Sequence, residues 1–215
     1  MAGRENPRSG VPAGAPPRQE RPVGAAGLLW NEACVAAHSH RADHHAGNAR
    51  RVRCAIVTVS DTRTADDDQS GREIRSHLEA AGHTVEAYRI VPDDPDGVRT
   101  LIEELAAAGT IDAALLSGGT GVAERDNTFE AVSSVLTRRI DGFGELFRML
   151  SFEEIGAAAM LSRAVAGLCG RMAVFSMPGS TAACRLAMEH LIVPQLAHLV
   201  GLARPTGSRP GAGAK

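Results

Sequence analysis

Apolar and polar positions follow two alternating periods from about residue 51 onward. Residues 52–60, 84–91 and 111–116 are short runs rich in β-branched and aliphatic side chains, which is the composition of buried strands. Residues 71–81 instead place apolar side chains three and four positions apart, the spacing of one helix face. A helix of the same spacing follows residue 96. The alternation predicts a largely parallel sheet with right-handed helical crossovers.

Residues with special backbone or capping properties set the predicted helix ends. Gly82 and Gly109 are expected to end the first two helices, because glycine adopts the left-handed conformation common at a helix C-terminus. Asp96 is predicted to cap the start of the second helix, and Ser180 the start of the last one. Pro194 is expected to kink that last helix, since it has no backbone N–H.

The second half of the chain departs from simple alternation. Helices are predicted at residues 129–136 and 142–152, and two short strands joined by a turn at residues 164–168 and 172–177. A final helix follows residue 180. Together with the first half, this pattern predicts an α/β fold, a three-layer α/β/α sandwich with a mostly parallel sheet.

Both ends of the chain differ in composition from this domain. Residues 1–50 are dense in Pro, Gly, Ala, Arg and His without sustained periodicity, and residues 203–215 are rich in Gly and Pro. We predict that both segments are disordered and flank one domain at residues 51–202. The histidines from His38 to His45 lie in the first segment and are assigned no metal.

Charge and hydropathy exclude two classes of partner. Residues 1–53 hold eight arginines and four acidic residues, a net charge of +4. Because the whole chain has a net charge of −2, the remaining residues have a net charge of −6. An acidic domain argues against nucleic-acid binding. No run of eighteen uninterrupted apolar residues occurs, so we expect no transmembrane helix and no membrane partner.

Four cysteines occur, without C-x-x-C pairing or zinc-finger spacing. They are Cys34, Cys54, Cys169 and Cys184. Buried free thiols are the expected state, and they suit a reducing, cytoplasmic location.

The only lysine in the chain is Lys215, at its last position. A Walker-type phosphate lysine, a Schiff base to substrate and a pyridoxal linkage are therefore excluded within the domain. Any chemistry here must depend on carboxylates, hydroxyls, arginines and backbone groups.

A glycine-rich stretch follows the third predicted strand, Ser117-Gly118-Gly119-Thr120-Gly121. It lacks the last glycine of a dinucleotide-binding fingerprint and does not follow the first strand. A phosphate-cradling turn without lysine is the favoured interpretation, because amides crowded by glycines at a helix start attract anions. A tight turn without a ligand is the alternative.

Carboxylates also follow the predicted strands. Asp61, Asp93 and Asp126 lie where the carboxyl ends of parallel strands should meet, the usual binding edge of open α/β sheets. Carboxylates next to an anionic ligand imply a bridging divalent cation, usually Mg²⁺. Each acid alone is more readily explained as a turn or cap residue. The segment Pro178-Gly179-Ser180 repeats the strand-to-helix geometry and supplies a second candidate edge.

Four motifs in fixed order resemble the MoaB/Mog family of molybdenum cofactor biosynthesis. They are the glycine stretch with Arg125-Asp126, the run from Gly142 to Gly156, the run from Leu161 to Gly167, and Met177-Pro178-Gly179-Ser180. The resemblance covers residues 51–202, which is the whole predicted domain. Ser117 replaces the family's usual threonine, and Asn127-Thr128-Phe129 replaces its usual Val-Thr-Pro.

The resemblance implies a ligand, a reaction and an assembly. The ligand is molybdopterin, a pterin dithiolene with a terminal phosphate, and active members adenylylate that phosphate with Mg-ATP and release pyrophosphate. A homotrimer or a hexamer is implied. A non-catalytic molybdopterin carrier or scaffold of the same fold is the alternative function.

Residue roles follow from the same resemblance. Asp93 and Asp126 would be the catalytic acids and the Mg²⁺ ligands, and both are retained here. The remaining binding residues would be Asp61, Ser117, Gly118, Gly119, Thr120, Gly121, Glu145, Ser162, Pro178, Gly179 and Ser180.

Overall fold

The computed structural model describes residues 51–204, and both predicted disordered tails, with Cys34 and the histidine cluster, lie essentially outside that range. Six strands form one sheet. They are β1 (Arg53–Val59), β2 (Thr84–Val91), β3 (Ala113–Ser117), β4 (Arg138–Arg139), β5 (Val165–Cys169) and β6 (Met172–Met177). Their order is β2-β1-β3-β6-β5-β4. The four adjacent strands β2, β1, β3 and β6 are parallel, whereas β5 is antiparallel to both β6 and β4.

Helices cover both faces of this sheet. They are α1 (Gln69–Ala80), α2 (Pro95–Ala108), α3 (Thr128–Val135), α4 (Asp141–Ile155), a 3₁₀ helix (Gly156–Leu161), α5 (Thr181–Ala187), a π-helical turn (Met188–Ile192) and α6 (Val193–Ala203). One core contains α1, α4, α5 and α6 with Ile56, Leu115 and Phe175 of the sheet. The other contains α2 and α3 with Val57 and Leu116. Because strand side chains alternate between faces, the sheet feeds both cores, and the predicted three-layer α/β/α sandwich is confirmed.

The predicted cap of α2 is wrong by two residues. Asp94 has the extended backbone of a cap, and its carboxylate accepts from the Gly97 amide at 2.9 Å. Pro95 then occupies the first turn, where its missing N–H costs nothing. Asp96 lies inside that turn and pairs with Arg99. The predicted Ser180 cap is confirmed by a 3.2 Å hydrogen bond from the Ala183 amide.

The irregularity predicted at Pro194 lies in the turn before it. Residues Met188–Ile192 form a π-helical turn, and Pro194 sits in the first turn of α6. Proline cannot donate to the carbonyl four residues earlier, that of His190, so the ladder there is rearranged. The two-residue strand β4 and the 3₁₀ helix were not predicted, because both are too short to show a period.

The last three helical segments form one continuous helix, Thr181–Ala203, that is long and apolar enough to cross a membrane by length and composition alone. Its charged residues Arg185 and Glu189 are exposed. Its buried residues, among them Met188, Ile192 and Leu196, belong to the core on the sheet. This packing accounts for its apolar composition.

Candidate functional site

The loops that follow β1, β2, β3 and β6 meet at one edge of the sheet. Since these strands are parallel, their carboxyl ends converge, which is where open α/β sheets bind ligands. The loop after β3, residues 118–127, runs into α3, and its strand lies between β1 and β6. We call it the glycine loop.

Two glycines of this loop are required by its backbone. Gly118 has φ 106° and Gly119 has φ 59°, conformations that disfavour a side chain. A Cβ on Gly118 would overlap the Val59 carbonyl oxygen. A Cβ on Gly119 would overlap the Thr128 hydroxyl and the Asp93 carboxylate. The glycines therefore allow β1, the loop and the acid to approach closely.

The polar backbone groups of the glycine loop are used asymmetrically. The carbonyls of Gly119, Thr120 and Gly121 have protein donors. Gly119 O accepts from the Thr128 amide at 2.9 Å, and Thr120 O accepts from Arg163 Nε at 2.9 Å. Gly121 O also accepts from Arg163. The amides of residues 119–122 have no acceptor among residues 51–204. Four consecutive free N–H donors make a concavity suited to an anion.

Asp93 lies at one end of this run of amides. Its carboxylate accepts from Thr128 Oγ1 at 3.2 Å, and its own amide donates to Asp61 Oδ1 at 3.1 Å. Burial raises the pKa of Asp93; hydrogen bonds from Thr128 and Asn127 oppose the rise, and repulsion from Asp126 and Asp61 adds to it. The folded protein therefore favours the protonated form of this carboxyl group more than water does.

Asp126 lies at the other end. Its Oδ2 accepts from the Ala123 amide at 3.2 Å and stands against the Cα of Gly121. Asp93 and Asp126 thus bracket the loop on either side of Thr120. In the described range, no three His, Cys, Asp or Glu side chains converge as a ready metal site. One or two carboxylates with ligand phosphates are the usual Mg²⁺ environment, and these two acids fit that requirement.

The structure brings a second set of predicted residues against the glycine loop. The amide of Gly118 donates to the Met177 carbonyl at 3.1 Å, and a Cβ on Gly179 would stand 3.0 Å from the Gly118 Cα. The segment after β6 therefore forms a wall of the site. Ser180 itself is engaged as the cap of α5.

Three other predicted residues are placed differently. Ser117 is buried, with Oγ 3.5 Å from Thr58 Oγ1, so its hydroxyl faces the interior. Glu145 is exposed on α4 in a cleft of about 280 Å³ shared with Arg139 and Arg148. Ser162 is half-buried. Among residues 51–204 no hydrogen bond joins Glu145 or Ser162 to the glycine loop.

Arg163 and Arg63 join segments of the site through hydrogen bonds that the sequence analysis did not predict. Arg163 contacts the carbonyls of the glycine loop, and Arg63 donates to the Gly179 carbonyl at 2.9 Å. Both contacts join residues more than 40 positions apart. No local pattern reveals such a contact, although Arg163 stands within one of the family motifs.

Asp68 forms an ion pair with Arg63. It is fully buried, 3.3 Å from Arg63 Nη1, and accepts from the hydroxyls of Thr58 and Tyr88. Burial alone would raise its pKa, but hydrogen bonds from Thr58, Tyr88, the Gly71 amide and Ser70 outweigh burial and lower the pKa to about 2. The sequence signal that could have identified Asp68 is its position three residues before Gly71, where it caps the start of α1.

Amides without a protein acceptor at the carboxyl ends of parallel strands are the arrangement typical of anion-binding α/β proteins. Comparison with known proteins gives the family. A family model described as "Probable molybdopterin binding domain" matches residues 55–198. The chain belongs to this MoaB/Mog family of molybdopterin-binding domains.

Relatives and solved structures agree. Molybdenum cofactor biosynthesis protein B of Halalkalibacterium halodurans is 51% identical over 158 residues, covering 73% of this chain and 93% of that protein. The Escherichia coli K12 protein of the same name is 45% identical, covering 67% and 85%. A crystal structure of a molybdenum cofactor biosynthesis protein B superposes with TM-score 0.71 at 49% identity, covering 73% and 98%. The tungsten cofactor synthesizing protein MoaB of Pyrococcus furiosus gives TM-score 0.65 at 34% identity, covering 72% and 98%.

Proposed function

We propose that this protein acts in molybdenum cofactor biosynthesis by transferring an adenylyl group from ATP to the terminal phosphate of molybdopterin. The observation that carries the proposal is the run of four unpaired amides between two acids at the carboxyl edge of the sheet. Family membership supplies molybdopterin as the ligand that these amides would hold.

The proposed reaction needs no covalent enzyme intermediate. An oxygen of the molybdopterin phosphate attacks the α-phosphorus of ATP, and a new phosphoanhydride bond forms. The bond between the α- and β-phosphates breaks, and its electron pair leaves with pyrophosphate. The glycine-loop amides hold the attacking phosphate and stabilise its charge, so the protein contributes mainly positioning and electrostatics.

Charge on the polyphosphate must be neutralised without lysine, since Lys215 is the only lysine in the chain. Asp93 and Asp126 would hold Mg²⁺, which supplies neutralisation of the phosphate oxygens when bound. Burial raises the pKa of Asp93, with smaller contributions from the charges of Asp126 and Asp61, and a bound cation would favour the ionised form of this carboxylate.

An exposed apolar surface supports the proposed assembly into a homotrimer or hexamer. Six of the eight large hydrophobic side chains exposed in the described range lie on α4 and the 3₁₀ helix, namely Leu146, Met149, Phe152, Ile155, Met160 and Leu161. Such a concentration marks an association surface. Sedimentation velocity should show trimers or larger species, reduced by Phe152→Glu and not by Leu202→Glu, which alters an exposed residue elsewhere. A monomeric wild type would refute the proposal.

Three buried thiols fit the proposed cytoplasmic location. Cys54, Cys169 and Cys184 are unpaired and buried, and burial raises the pKa of Cys54 and Cys184 to about 12. Such thiols are unreactive and form no disulfide, which suits a reducing compartment.

The deciding experiment measures pyrophosphate release from ATP by the full chain, with and without molybdopterin, in the presence of Mg²⁺. Release that requires both molybdopterin and Mg²⁺ would support adenylylation. Tight molybdopterin binding without turnover would instead establish the non-catalytic carrier. Failure to bind molybdopterin would overturn both functions.

A further inference from the structure

Arg163 reaches the glycine loop from the segment that precedes β5. Its Nε donates to the Thr120 carbonyl at 2.9 Å, and its Nη2 donates to the carbonyls of Gly121 and, at 2.9 Å, Asp126. The guanidinium also lies 5.0 Å from the centre of the Phe129 ring and pairs with Glu130 through Nη1. One side chain therefore ties the two ends of the loop together.

These contacts fix the direction of the loop amides. In a trans peptide unit the C=O and the following N–H point in opposite directions. When Arg163 holds the carbonyls of Thr120 and Gly121, the N–H groups of Gly121 and Val122 must point away from it. Those two amides belong to the run without a protein acceptor in the described range. The arginine thus determines which side of the loop presents donors.

Arg163 does not have to touch the ligand to act in this way. Four of its N–H donors are used by the three carbonyls and Glu130. A planar guanidinium can span several acceptors at fixed angles, whereas an ammonium group is a point charge on a flexible stem. Lysine at this position would keep the charge without holding the three carbonyls together.

We propose that Arg163 is a positioning residue that turns the amides of Gly121 and Val122 toward the bound phosphate. The proposal rests on the proposed function, because it assumes that phosphate binds at the glycine loop. It predicts that the arginine acts through the three carbonyls and not through its ion pair with Glu130.

Pyrophosphate is the probe for this proposal, titrated calorimetrically into the full-length protein with Mg²⁺. Arg163→Lys should weaken binding by about tenfold or more, since one or two charge-assisted hydrogen bonds are lost. Glu130→Gln removes the carboxylate partner and leaves the carbonyl contacts, so binding should change by less than about twofold. Arg185→Lys, which alters an exposed ion pair with Glu73, is the matched control and should bind as wild type.

Amide ¹H–¹⁵N shifts provide a readout that a purely structural role would not move. In the wild type, pyrophosphate should shift the Gly121 and Val122 signals, and in Arg163→Lys these shifts should be largely lost while the rest of the spectrum is retained. If Arg163→Lys does not fold, the wild-type spectrum decides: unmoved Gly121 and Val122 signals would overturn the proposal.

The outcomes separate the two proposals. A wild type that does not bind pyrophosphate would overturn phosphate binding at the loop, and the role of Arg163 with it. Wild-type binding with equal affinity in Arg163→Lys would overturn the role of Arg163 alone. Equal losses in Arg163→Lys and Glu130→Gln would show that the ion pair, and not carbonyl positioning, matters.

Discussion

Asp112 and Asp93 lie at opposite ends of the parallel strands and have opposite electrostatic surroundings. At the amino edge, Asp112 is nearly buried and accepts from Arg53 at 3.0 Å and from Arg204 at 2.6 Å. At the carboxyl edge, no arginine among residues 51–204 contacts Asp93, which lies near the charges of Asp126 and Asp61. One acid is neutralised within the fold, and the other is left with like charges around it.

The contrast separates stability from function. The Asp112 cluster joins β1 to the end of α6 and closes the amino edge. At the carboxyl edge, partial burial and, to a smaller extent, the charges of Asp126 and Asp61 disfavour the ionised form of Asp93, which a bound cation would stabilise. We infer that the fold places its uncompensated charge where ligand binding can use it, a common property of functional sites.

The largest effect is expected at the carboxyl edge. Asp93→Asn should lower the rate of molybdopterin-dependent pyrophosphate release by about 100-fold or more, because a proposed metal ligand is lost. Its melting temperature without Mg²⁺ should be at least that of the wild type, since the repulsion from Asp126 and Asp61 is removed. Pyrophosphate assays and thermal unfolding measure the two effects. A rate within twofold of wild type would contradict the proposed role.

The opposite result is expected at the amino edge. Asp112→Ala removes the nearly buried carboxylate that accepts hydrogen bonds from Arg53 and Arg204, and it should lower the free energy of unfolding by about 1–2 kcal/mol. Pyrophosphate release measured well below the melting temperature should be unchanged, because Asp112 lies at the far edge of the sheet. Urea denaturation gives the stability. If Asp112→Ala were as stable as the wild type but less active, the proposal that Asp112 serves stability and not activity would be contradicted.

Asp68 is a buried acid next to the site whose hydrogen bonds and ion pair with Arg63 are expected to stabilise its ionised form. Its folded pKa is lowered to about 2, so its contribution is fully present above the ordinary pKa and is lost as pH falls toward 2. The free energy of unfolding should therefore fall by about 2 kcal/mol between about pH 5 and pH 2 through this group.

Urea denaturation as a function of pH checks this effect. Asp68→Asn should lack this part of the acid dependence, whereas Asp96→Asn, at an exposed pair with Arg99, should retain it. Identical pH profiles for wild type and Asp68→Asn would show that the buried network does not stabilise the ionised carboxylate.

Local patterns predicted most of the fold. The β-branched runs, the helical spacing and Gly109 gave the strands, helices and one helix end with small shifts, because burial imposes those periods directly. The cap of α2 was misplaced, since two aspartates two residues apart fit the same pattern and only backbone geometry distinguishes them. The short turn predicted between residues 168 and 172 agrees with the antiparallel pair that β5 and β6 form. The pairing of β6 with β3 joins residues about 60 positions apart, so no local pattern could predict it.

Most residues of the candidate site could be predicted from the sequence, whereas their mutual positions could not. The glycine loop and the acids after the strands could be identified from the chain, because glycine and aspartate in strand-to-helix loops have few explanations. Their mutual positions are tertiary properties: Asp93 meets Thr128 across 35 residues. Arg163 meets Thr120 across 43 residues.

The layers of the sandwich, the lack of lysine in the domain and the position of the glycine loop could all be predicted from the chain. These depend on residue type and on spacing within a few positions. Which backbone groups of the glycine loop lack a protein partner, in contrast, is a property of the folded chain. The carbonyls are held by an arginine distant in sequence, so the donors that remain for a ligand follow from long-range packing and not from the glycines alone.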